Sequence, residues 1–197
     1  MNPLKNILLT LGLTLSCINL SAQETVPLVV EPNHSTIGFS VPIAGGITRV
    51  TGKFMKFDLR IDYVNQDITQ SKVQFGIDLS SIVTGIPERD EHLLTADFFD
   101  AERHPRIEFR AIQIKKSESG FVANGLLTMH GIEQVVEIPF QLLSEQGNQL
   151  GIEIRWQLDR LDFGVGKDFK HTSMENFLSN VIDIEINFWT KRGKDTP

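Results

Sequence analysis

From Asn33 onward, apolar residues recur at every second position through most of the chain. In "HSTIGFSVPI" the side chains of Ile37, Phe39, Val41 and Ile43 share one face, with Thr36, Gly38 and Ser40 on the other. The same alternation runs through "KVQFGIDLS" (Val73, Phe75, Ile77, Leu79) and "VVEIPFQL" (Val136, Ile138, Phe140, Leu142). It continues in "LGIEIRWQLD" (Leu150, Ile152, Ile154, Trp156, Leu158) and "VIDIEINFW" (Ile182, Ile184, Ile186, Phe188). A period of two with Asp, Glu, Arg, Asn or Gln opposite marks strands that bury one face.

Two segments change phase partway. Phe54 falls on an even position and Phe57, Leu59 and Ile61 on odd ones, while Ile107 and Phe109 give way to Ile112 and Ile114. One inserted residue does this, so bulges or sharp bends are predicted near Met55–Lys56 and at Ala111. Breakers stand between the runs at Gly45-Gly46, Ser119-Gly120, His130-Gly131, Gly147-Asn148 and "FGVG". Only "PERDEHLLTADFF" and "TSMENFLSN" read as helical, and both are short. About eight strands joined mostly by short turns predict an all-β antiparallel barrel with one or two short helices, apolar inside and wet outside. An outer-membrane barrel would turn its apolar face outward, and a single Tyr does not make its aromatic girdle.

The first 22 residues follow a different rule. Lys5 precedes an apolar run from Ile7 to Leu15, and Ala22 stands just before Gln23. Ser16, Cys17 and Asn19 interrupt the run well short of the ~20 apolar residues that a membrane helix needs. This reads as a cleaved secretory leader (1–22), followed by one exported domain (23–197). The alternative is lipoprotein processing before Cys17, although Thr14 stands where such leaders usually carry Leu. With cleavage after Ala22 the mature chain has no thiol, so the fold rests on its core alone. Loss of Lys5 takes the formal charge from −6 to −7. Without a clustered Lys/Arg surface, this acidity argues against a nucleic-acid partner.

The search for chemistry yields little. The nucleophile elbow, P-loop, "HExxH", "GxGxxG" and paired "CxxC" are absent. His34, His92, His104, His130 and His171 match no zinc spacing, so no metal or cofactor is implied. Glu88 and His92 could face each other at i, i+4 on a helix. Asp97, Asp100 and His104 could form an acid/base cluster acting on a lipid-like substrate, but Arg103, Arg106 and Arg110 are near enough to neutralise the acids. The simpler reading is a structural clamp, with Phe98 and Phe99 plugging apolar space.

"HSTIGFSV", "VTGKFMKFDLRI", "HLLTADFFDAERHPRIEFRA", "GLLTMHGIEQVVEIPF" and "RLDFGVG" occur in that order. Together, from about His34 to Phe188, they resemble the YceI-like family of exported, lipocalin-like proteins. The resemblance implies a periplasmic barrel with a long internal tunnel that binds polyisoprenoid or other long-chain amphiphilic lipids, and it supplies no catalytic residues. Asp97, Phe98, Phe99 and Asp100 match a helix-to-loop motif, Pro105 and Phe109 a strand entry, and Thr128 and Gly131 a turn. Arg160, Asp162, Phe163 and Gly164 match an "RxDFG" motif. The glycines of "VPIAGGITRV" depart from the family pattern and leave the shape of that rim open.

Phe supplies 13 of the 16 aromatic residues, so the inward face is large and greasy. In a hollow barrel the wall for an isoprenoid or fatty-acid-type tail would be Phe39, Phe54, Phe75, Ile77, Phe109, Leu127, Ile138, Phe140, Ile154, Trp156, Ile184 and Phe188. In a filled barrel the same side chains would meet at the centre, as in a purely structural or stress-response protein. Alternation alone does not separate the two. Stable membrane insertion is not expected, and a homodimer is compatible with barrels whose open ends pair.

Overall fold

The computed structural model describes residues 24–146, 149–172 and 174–193. The expected leader with Cys17, and the expected breaker Gly147-Asn148, lie outside these residues. In chain order the strands are β1 (Thr25–Val30), β2 (Thr36–Ile43), β3 (Thr48–Phe54), β4 (Phe57–Val64), β5 (Asp67–Asp78) and β6 (Ile82–Val83). After helix α1 (Pro87–Leu94) come β7 (Arg106–Ser117), β8 (Gly120–Met129), β9 (Ile132–Gln146), β10 (Gln149–Asp159) and β11 (Val181–Arg192). Every pairing between them is antiparallel.

Eight of the strands close a ring in the order β1-β4-β5-β7-β8-β9-β10-β11 and back to β1. β11 is long enough to be shared. Its residues Thr190–Arg192 pair with β1, whereas Asp183–Asn187 pair with β2, which carries β3 and the short β6. One end of the barrel is therefore walled by β1 and β4, and the other by β2 and β3. A two-residue hairpin loop of type I′ needs positive φ at both positions. Asn65-Gln66 (φ 50° and 53°) and His130-Gly131 (φ 53° and 72°) meet that need.

The bulge at Ala111 is present. Ala111 pairs with Gly125 but Gln113 with Asn124, so Ile112 is the inserted residue, 61% exposed. At Met55–Lys56 there is no bulge but a strand break, because the chain leaves β3 for β4 on a different part of the barrel. Ser81 holds that corner, its Oγ accepting from the Met55 and Lys56 amides at 3.2 and 2.9 Å. Helix α1 stops at Leu94. The described residues of "TSMENFLSN" are not helical, because their backbone is engaged elsewhere. The Phe177 carbonyl accepts from Ala44 N at 2.8 Å, Ser179 N donates to the Pro42 carbonyl at 3.0 Å, and Leu178 bridges Ile43. Among the described residues no helix is long and apolar enough to cross a membrane.

The β1/β4 half is solid. Leu28, Ile61, Tyr63 and Leu150 are each at most 1% exposed there. The Tyr63 hydroxyl donates to the Glu145 carboxylate, and burial together with that carboxylate pushes the phenol above its ordinary range. Phe121 stacks on Phe140 with centroids 5.3 Å apart, and Phe188 touches Phe57 and Phe75 at 5.9 and 6.4 Å.

Candidate functional site

The β2/β3 half is hollow. A cavity of about 260 Å³ lies inside it, near the lower limit of the ~300–1,000 Å³ usual for small-molecule sites. The register explains how its wall is assembled. Trp156 on β10, Ile184 on β11 and Phe39 on β2 are consecutive cross-strand partners, and Phe39 pairs in turn with Gly52 on β3. A Cβ on Gly52 would fall 2.3 Å from the Phe39 ring, so glycine is what lets this ring lie flat across β3. Phe39, Trp156 and Ile184 point inward yet are only half-buried, because one side of each faces empty space.

Phe54, Phe75, Ile77, Leu127, Ile138 and Ile154 also stand on this wall. Phe109, Phe140 and Phe188 do not, which corrects the sequence reading of a wall running the whole barrel. Phe109 leans into the space left by Gly125, whose Cβ would lie 2.5 Å from the ring, and it stacks on Phe75 at 5.2 Å. Phe140 and Phe188 close the solid half. Phe75 thus forms the floor between the two halves, and the long tunnel implied by the resemblance is instead a cavity confined to one of them.

Alternation could not reveal the roof, because it comes from irregular chain. Leu93 of α1, the following Phe98 and Phe99, and Val165, Phe169, Phe177 and Leu178 of the 160–180 connection all face the cavity. The adjacent Phe pair was the one signal available. Phe98 is buried, with its ring 5.2 Å from Phe169 and edge-on to His92 at 5.1 Å.

Arg160 shapes the connection. It is 7% exposed and donates to the carbonyls of Ser179 (3.0 Å), Val165 (2.6 Å) and Gly166 (2.8 Å) and to Asn180 Oδ1 (3.2 Å). Burial lowers its guanidinium below the usual arginine range, with the charge of Asp159 opposing that shift. The "RxDFG" motif thereby ties both ends of the connection together. Gly164 (φ 67°) supplies the left-handed turn after the Arg160–Phe163 single turn.

The proposed acid/base cluster does not assemble. Asp97 Oδ2 lies 3.1 Å from His92 Nε2, Asp100 pairs with Arg103 at 2.5 Å, and His104 packs edge-on against His130 at 5.8 Å. His92 accordingly faces Asp97 rather than Glu88. Among the described residues no three His, Cys, Asp or Glu side chains converge to hold a metal. The clamp has one buried charged member, Asp100, which takes φ 49° and whose carbonyl accepts from the Arg103 and His104 amides at 3.0 and 2.9 Å. Asp100→Ala is therefore expected to lower stability by about 1–3 kcal/mol, through loss of the ion pair and strain at that φ. Asp97→Asn, at an exposed pair, should change it by less than about 0.5 kcal/mol. Thermal unfolding of the two variants checks the ordering, and equal effects would remove the clamp.

The YceI-like domain matches residues 28–189. A UPF0312 protein of Photorhabdus laumondii subsp. laumondii is 29% identical over 184 residues, covering 89% of this chain and 94% of the relative. Protein YceI of Escherichia coli O17:K52:H18 is 27% identical over 184 residues, covering 89% and 95%. Among solved structures, Burkholderia cenocepacia BcnA superposes with a TM-score of 0.73 at 19% identity, covering 82% of this chain and 99% of its own. A polyisoprenoid binding domain from Saccharophagus degradans, implicated in plant cell wall breakdown, gives 0.66 at 15% identity, covering 85% and 99%. At those identities the structural likeness concerns the barrel alone. The domain match spans most of the chain and the curated relatives align almost end to end, so this protein belongs to the YceI-like family.

Proposed function

We propose that the protein is exported to the periplasm and there carries a long-chain amphiphile, of polyisoprenoid or fatty-acid type, by partition into the cavity. The observation that carries this reading is the hollow half of the barrel, whose wall of Phe, Trp, Ile, Leu and Val would otherwise face water. Each methylene placed there gains about 0.8 kcal/mol. The solid half limits how much tail is taken up, so a long chain folds back or leaves its head at the mouth. Family membership and the fold shared with the Saccharophagus domain support a lipid ligand, and the leader supports export. Partition of this kind needs no cofactor.

Protein purified without detergent from the periplasmic fraction should release an amphiphile into organic solvent, detectable by mass spectrometry. The same preparation should have an intact mass that begins at Gln23. A protein that releases nothing and binds no long-chain probe would remove the carrier reading, and a retained leader would remove the export reading.

A further inference from the structure

The chain carries a formal net charge of −6, yet the ionisable side chains on the cavity wall are Arg89, His92 and Arg160, with no carboxylate among them. Arg160 is the most informative of the three. It is buried, lines the cavity, and all four of its described hydrogen bonds go to neutral oxygens. The nearest acid in sequence, Asp159, turns its carboxylate to the Leu161 amide at 2.9 Å. A buried cation without a bonded counter-ion is costly, and its field reaches far across an apolar wall that holds little water.

Arg89 and His92 stand at the same corner. A Cβ on Gly166 would lie 2.8 Å from the Phe98 ring and 3.1 Å from Arg160 Nη1, which puts the guanidinium beside Phe98. The His92 ring packs edge-on to that same Phe98. Arg89, one turn earlier on α1, uses Nε and Nη2 on Thr84, leaving Nη1 uncommitted among the described hydrogen bonds. Of the acids nearby, Asp90 accepts from Thr84, Asp100 pairs with Arg103, and Asp97 meets His92 Nε2 at 3.1 Å from the solvent side, with its own side chain 71% exposed.

We infer that the bound amphiphile is anionic, its carboxylate or phosphate-monoester head held at the corner formed by Arg89, His92 and Arg160 while its tail covers the apolar wall. This rests on the carrier reading and adds the charge of the head. Placing the head there adds a second negative charge to that of Asp159, beside a guanidinium whose described hydrogen bonds go to neutral oxygens. It also sets the direction of entry, tail towards Phe75 and head towards α1.

Displacement of bound Nile red by two acid–neutral pairs, oleate with methyl oleate and farnesyl phosphate with farnesol, tests this. In the wild-type protein at least one acid should displace the dye at a concentration about tenfold or more below its neutral partner, a difference of about 1.4 kcal/mol. The acid with the larger advantage tells carboxylate from phosphate. In the double variant Arg89→Met with His92→Gln, that advantage should fall below about threefold while the neutral compounds keep their affinity. Arg160 stays unaltered because it also holds the connection. Parity within both pairs in the wild type, or an advantage unchanged in the double variant, overturns the inference. Displacement by neutral compounds alone would leave the carrier reading standing, whereas failure of all four would remove both.

Discussion

Phe188→Ala is expected to lower the stability of the protein by about 3–5 kcal/mol in equilibrium urea unfolding, whereas Trp156→Ala, which removes a larger side chain, should cost about 1–2 kcal/mol. The order is the reverse of what side-chain size suggests. Phe188 is 4% exposed and sits against Phe57 and Phe75, so its removal opens a void that packed neighbours cannot fill. Trp156 faces a cavity that already exists, so alanine there enlarges an empty space rather than creating one. Its indole loses dispersion contacts on one side only. Each variant should unfold in one transition with an unchanged slope, since the surface exposed on unfolding hardly differs. Equal costs for the two would mean that the barrel is not divided into a solid and a hollow half.

That division was the part of the site that the sequence did not disclose, and the reason is physical. Alternation records which face a side chain points to. It does not record how far the opposing wall stands. Phe39 and Phe109 occupy equivalent inward positions, yet Gly52 lets one ring lie flat against its own wall and Gly125 draws the other into the solid half. Glycine patterns of this kind act across strands, at pairings that are fixed only when the barrel closes.

β8 shows no clean alternation in the sequence for a related reason. Its inward residues Ala123 and Gly125 are small because neighbouring aromatics fill the space, so its apolar signal is weak. β1 was hidden by Pro27, whose position in the strand mutes the reading of Val26, Leu28 and Val30 as one face. The five strands with clean alternation, by contrast, were legible, as were the bulge near Ala111 and the plugging role of Phe98. The corner where α1 meets the connection is the hardest to foresee. Arg89, His92 and Arg160 are brought together by α1 and an irregular connection, and no periodicity links residues that far apart in the chain.

Ile184→Trp is expected to abolish uptake of long-chain probes while leaving the protein folded. Ile184 lies between Trp156 and Phe39 in the cross-strand row that faces the cavity, so a new indole has empty space to enter. Filling that space removes the room a tail would occupy, and Nile red affinity should fall about tenfold or more, equivalent to at least about 1.4 kcal/mol. Stability should shift by no more than about 1 kcal/mol, because the added apolar surface is buried without displacing packed neighbours. The same substitution at Ile152, 6% exposed and opposite Phe188, provides the contrast. There an indole must force its way into close-packed side chains, at a cost of about 1–3 kcal/mol, while the cavity and its affinity for the dye stay as they are. Undiminished dye binding by Ile184→Trp would place the ligand somewhere other than the hollow half, and the carrier mechanism built on that half would fall with it.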